Sequence, residues 1–129
     1  MDNPSQRFFT IQEANASLAI IRPLMREALE IRQKILAVQA EIWPVIEKVL
    51  GNGGNLQASR AVKDFDRLNS IVHQLQDTGA IIKDLNTGLV DFLALRDRRE
   101  VYLCWKFDEP HIEYWHDIDA GFAGRQLWE

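Results

Sequence analysis

The residues best equipped for chemistry crowd into one short segment, residues 112–125, which reads IEYWHDIDAGFAGR. His116 has the strongest claim. An imidazole held partly out of water beside Tyr114 can act as a general base or as an orienting donor. The more ordinary role is a core histidine with its hydrogen bonds satisfied. Asp117 and Asp119 form a D-x-D pair that can hold a divalent metal such as Mg²⁺ or Mn²⁺ through hard oxygens. Aspartates at the end of a strand also cap turns, and that reading comes first. Gly121 and Gly124 in GFAG would let backbone approach a ligand. Arg125 could clamp an anion. A zinc site from His111 and His116 is disfavoured. Side chains alternate faces along a strand, and positions five apart point to opposite faces.

Two further positions lie upstream. Asp91 is the one charge in the apolar run GLVDFLAL, where a buried carboxylate requires a partner. Arg96, Arg98, Arg125 and His116 are its candidates. A structural ion pair or an edge-strand charge is the plainer alternative. Cys104, between Leu103 and Trp105, reads as a buried and inert thiol. A catalytic reading thus combines His116, Asp91 and Arg125, with Trp105, Tyr114, Gly121 and Gly124 lining a ligand site. No cofactor is implied beyond a possible divalent metal.

These residues need a frame. Thr10 and Glu13 make a capping box that starts a long helix. Its apolar line alternates three and four: Ala14, Ser17, Ile21, Leu24, Ala28, Ile31, Ile35, Val38, Ile42, Val45, Val49. That is a heptad seam, suited to helix packed along helix. Pro23 and Pro44 predict kinks rather than breaks, because the seam keeps its phase through both. The GNGGN turn at residues 51–55 leads to a second helix over residues 56–78, ended by Gly79. Its line is Ala58, Ala61, Phe65, Leu68, Val72, Leu75. The first helix is much the longer, so its N-terminal half requires another partner: the C-terminal sheet, a second subunit, or both.

Beyond Gly79 the period changes. AIIKDL, GLVDFLAL, EVYLCWKF and HIEYWH read as strands separated by the turn clusters NTG, RDRR and DEP. The fold class is α+β: a long antiparallel two-helix hairpin, about residues 10–79, followed by an antiparallel β-meander of about four strands, about residues 80–129. His116 would share a strand face with Ile112 and Tyr114, turned towards the helices. At 129 residues the chain forms one domain.

The bulk numbers exclude several classes. A net charge of −4 disfavours binding of nucleic acid through its phosphates. A single cysteine rules out an internal disulfide and fits a reducing cytoplasm. There is no signal-peptide pattern at the start and no apolar run long enough to span a membrane. G-x-S-x-G, H-E-x-x-H, G-x-G-x-x-G and Walker-type patterns are absent.

The segments GLVDF, REVYLCWKFDEP and YWHDIDAGFAGR, behind FTIQEAN and a long hairpin, resemble the prokaryotic domain-of-unknown-function family 2203. The resemblance runs from Phe9 to about Leu127. It implies a small cytosolic protein and assigns no catalytic residues. Its signature positions here are Asp91, Trp105, Tyr114, Trp115, His116, Asp117, Gly121, Phe122, Gly124 and Arg125. Leu93 stands where a proline is common, and Arg98 where a turn glycine is common. Two functions follow as expectations. The first is a non-enzymatic interaction module, forming a homodimer or binding another protein through helix 1. The second is a small-ligand or metal-dependent enzyme with its site around His116.

Overall fold

The computed structural model describes residues 7–49 and 56–129, with side chains described for residues 7–37 and 60–129. The GNGGN turn, the chain start and the outer seam positions (38–49 and 58) lie outside the described residues or side chains. Two helices, α1 (Ile11–Val49) and α2 (Leu56–Asp77), precede five strands. These are β1 (Ile81–Asp84), β2 (Leu89–Arg96), β3 (Arg99–Lys106), β4 (Tyr114–Asp117) and β5 (Gln126–Leu127). The sheet is an antiparallel meander in chain order, one two-residue strand longer than the sequence reading.

α1 starts at the capping box. The Glu13 amide donates to Thr10 Oγ1 at 3.0 Å, and the Thr10 amide donates to Glu13 Oε1 at 3.0 Å. The helix runs unbroken through Pro23 and Pro44. Its buried row is Ala14, Leu18, Ile21, Met25, Ala28, Ile31 and Ile35. Leu18 and Met25 thus carry packing that the heptad reading gave to Ser17 and Leu24, which are only half-buried. A helix wedged between a sheet and a second helix buries a broader stripe than a coiled-coil seam does. On α2, Ile71 and Leu75 are buried, while Phe65 is 51% exposed. The α2 seam is therefore covered only at its C-terminal end. Gly79 follows with φ +94°, the left-handed geometry that ends a helix.

The N-terminal half of α1 finds its partner in the sheet. Val90, Phe92, Ala94, Val101, Leu103, Trp105 and Trp115 lie on one face and join the α1 row in a single core. Two polar links fix the docking. Asn15 Nδ2 donates to the Ile112 carbonyl at 3.1 Å, and the Ile112 amide donates to Asn15 Oδ1 at 2.8 Å. Arg22 donates to the carbonyl of Pro110 at 2.7 Å. The β2–β3 connection is a two-residue turn with Asp97 at φ 51° and Arg98 at φ 67°. Positive φ at both positions is the hairpin geometry that matches strand twist, and it is the geometry glycine adopts most cheaply. At the β1–β2 turn, Gly88 has φ +69°, and a Cβ there would lie 2.7 Å from Phe107 Cβ.

No helix among the described residues is long and apolar enough to cross a membrane.

Candidate functional site

Register places the reactive side chains. Asp91 pairs with Cys104, Cys104 pairs with Tyr114, and Tyr102 pairs with His116. Asp91, Cys104, Tyr114 and His116 therefore share one face of three adjacent strands. It is the face opposite the one that packs in the core with α1. This corrects the expectation that His116 turns towards the helices with Ile112. The strand begins only at Tyr114, so alternation does not extend back to Ile112. Ile112 is instead tied to α1 through Asn15. His111 also precedes the strand and is exposed, so it stands apart from His116 without any parity argument.

On that outer face His116 and Asp91 are nonetheless closed off, at 3% and 2% exposure. The Tyr102 ring lies 5.6 Å from the His116 ring. His116 Nε2 sits 3.1 Å from Asp91 Oδ2, and Nδ1 sits 2.8 Å from the Asp117 carbonyl. A carbonyl only accepts, so Nδ1 carries a proton and donates it. Nε2 then faces a carboxylate oxygen, which when ionised also only accepts. The contact needs one proton between Nε2 and Oδ2, or a cation in its place. Asp91 Oδ1, also buried, has no hydrogen-bond partner.

Cys104 completes the group. One ligand atom each from Asp91, Cys104 and His116 lies within 4.8 Å of the others. Burial, and then the nearby Asp91 charge, push the Cys104 thiol up to about 12. The free thiol is therefore a poor nucleophile at neutral pH, in keeping with an inert cysteine.

The other expected residues are distributed around this cluster. Arg125 stacks over the Tyr114 ring at 4.1 Å and the Phe122 ring at 4.6 Å. Its Nη2 donates to both carboxylate oxygens of Glu109, at 2.6 and 2.8 Å, and to the Cys104 carbonyl at 3.2 Å. That guanidinium is committed to the protein rather than held ready for an anion. Trp105 is fully buried on the helix-facing side, with its indole N–H donating to the Glu109 carbonyl at 2.9 Å. It does not share a face with His116. Asp117 makes an exposed ion pair with Arg99 at 2.9 Å. Asp117 and Asp119 line an open cleft of about 540 Å³ with Arg99, Glu100, Ile118 and Ala120. Gly121 and Gly124 are exposed; Gly121 precedes a short 3₁₀ turn, Phe122–Gly124, and Gly124 ends it.

Glu109 escaped the sequence reading. It accepts from the Lys106 amide at 2.7 Å as well as from Arg125, and so ties the β3–β4 turn to the C-terminal tail. Its only sequence signal was a place in the turn cluster DEP; the Arg125 partner lies 16 residues away. Cys104 was seen, but not its neighbours, because contact across three strands depends on register.

The arrangement can share a proton within a dry pocket or hold a cation. His116 and Asp91 are almost closed to solvent. No curated protein and no solved structure matches the chain. A family model does match, over residues 7–127, which takes in the capping box, the hairpin and all of the Asp91–Cys104–His116 cluster. On that match the chain belongs to the family described as an uncharacterized conserved protein, DUF2203.

Proposed function

We propose that this protein is a non-enzymatic interaction module of the cytoplasm, working as a homodimer through its helical hairpin. One observation carries the reading. Between Arg60 and Ser70 on α2, no side chain is buried, although the segment keeps the apolar spacing Ala61, Phe65, Leu68. Phe65 is 51% exposed and Val62 60% exposed. Scattered apolar residues on a surface are ordinary, but two neighbours on a heptad-spaced helix form a ready seam. A second copy of the chain supplies a matching seam by symmetry, so the contact is self-complementary. The cytoplasmic setting is supported by the single, unpaired Cys104.

The closed Asp91–His116 pair supports this reading over an enzyme, since catalysis needs access to the reacting groups. Sedimentation equilibrium at micromolar concentration tests it. The wild-type chain is expected at dimer mass. Phe65→Glu places a charge in the seam of each copy and is expected to weaken association by at least about tenfold, the equivalent of about 1.4 kcal/mol. Its helical circular dichroism should not change. A wild-type chain that stays monomeric throughout overturns the proposal.

A further inference from the structure

We propose that Asp91, Cys104 and His116 form a binding site for a borderline-soft divalent transition metal, with zinc the foremost candidate. This site is independent of the hairpin and of whether the chain dimerises.

Four observations converge. The first is the donor set. A carboxylate oxygen, a sulfur and an imidazole nitrogen come from β2, β3 and β4, one from each strand, and lie within 4.8 Å of one another. Mixed O, N and S donors select zinc-like ions over Mg²⁺ or Ca²⁺, which take oxygen alone. Tetrahedral zinc holds its ligand atoms roughly 3.3–3.6 Å apart, given its usual bond lengths. Nε2 and Oδ2, at 3.1 Å, lie slightly inside that spacing, and all three donor atoms are within 4.8 Å of one another, so small side-chain shifts bring the group to it.

The second is the histidine's orientation. Nδ1 is engaged by the Asp117 carbonyl at 2.8 Å, which fixes the tautomer and leaves Nε2 as the ligating atom. Metal-bound histidines are ordinarily held this way from behind. The third is the carboxylate. Asp91 is 2% exposed, yet its Oδ1 has no partner. A two-oxygen contact, with Oδ1 joining Oδ2 on the ion, would give this buried oxygen the partner it otherwise lacks.

The fourth is charge. With the thiol ionised on binding, Asp91 and Cys104 contribute two negative charges, which a divalent cation cancels. The neighbouring Arg125 does not oppose the ion, because Glu109 neutralises it through a two-oxygen contact at 2.6 and 2.8 Å. Asp91, Cys104 and His116 supply three of the four ligands of a tetrahedral ion.

This differs from the metal pattern the sequence offers in Asp117 and Asp119. Those two aspartates are not among the ligand cluster, which is the one group of its kind among the described residues.

The test uses the full-length chain, stripped of metal with a chelator and titrated with Co²⁺. Cobalt serves because tetrahedral sites give intense visible bands, and thiolate ligation adds a charge-transfer band in the near ultraviolet. The chain has one cysteine, so a thiolate band in the wild-type protein reports Cys104 without any variant. The expected result is one cobalt per chain with both features, displaced by one equivalent of zinc. Cys104→Ser should abolish the charge-transfer band, and Asp91→Asn should retain it while weakening zinc binding by about 100-fold or more. A folded wild-type chain that gives neither feature overturns the proposal. So does a cobalt spectrum without a thiolate band, which would place the ion elsewhere.

Discussion

The buried Asp91–His116 contact makes a quantitative prediction about stability with metal removed. Asp91 and His116 are 2% and 3% exposed, and one carboxylate oxygen is already without a partner. Replacing His116 by Leu leaves both oxygens unbonded in a dry site. Removing one member of such a pair costs about 3–5 kcal/mol. Replacing Asp91 by Val leaves the imidazole with its Asp117 bond intact and only Nε2 unsatisfied, at a cost of about 1–3 kcal/mol. With both replaced, no polar group remains unbonded and most of the lost volume is filled. The double variant should lie within about 1 kcal/mol of wild type, because an apolar substitute for a buried pair is often neutral. The coupling is therefore about 3 kcal/mol or more, read as the departure from additivity. Urea unfolding at one fixed protein concentration, with chelator present, measures all four species. Additive losses, with the double variant the least stable of the four, would refute the claim that the two groups exist for one another.

Two other predictions concern the frame. Arg98 holds φ 67° with its side chain exposed; Arg98→Gly should relieve the left-handed strain and stabilise by about 1 kcal/mol, raising Tm by about 3–5 °C in thermal unfolding. The Glu13 carboxyl is held below its usual range, first by the Thr10 backbone N–H and then by the Thr10 hydroxyl. A depressed folded-state pKa stabilises above the unfolded value and ceases to do so as pH falls through the folded one. Glu13→Gln should therefore be less stable than wild type near neutral pH, with the gap closing below about pH 4.5 in parallel thermal melts; a constant gap across that range would dissociate the carboxylate from the effect.

The helices and strands were legible because their signals are local. A threonine three residues before a glutamate, a three-four apolar alternation and a change of period after Gly79 each act over one or two turns of chain. The misfit at Arg98 is not a local signal; it shows only through the resemblance to the family, in which a turn glycine is common there. Of what depends on register, the Asp91–His116 contact is among the sequence expectations, as one of four candidate partners for Asp91; the rest is not legible. His116 was assigned to the helix-facing side because the strand was extended back to Ile112, and a four-residue strand does not carry alternation that far. Cys104 and Asp91 are 13 positions apart in sequence but directly opposite in the sheet. Trp105, adjacent to Cys104, points the other way, so a tail rich in aromatics separates into a core layer and an outer layer that composition cannot distinguish.

The paired Asn15–Ile112 hydrogen bonds have a consequence for the chain as it is made. They join positions 97 residues apart. At ordinary synthesis speeds the two ends emerge on the order of ten seconds apart. Throughout that interval Leu18, Ile21 and Met25 have left the ribosome while the strands that will cover them are still being written. Helix 2 arrives first and offers only a provisional shelter. Nascent chains of this protein thus pass through a stage with an uncovered apolar helix, in which holding chaperones or a neighbouring nascent chain compete for the surface that β2 to β4 will later claim.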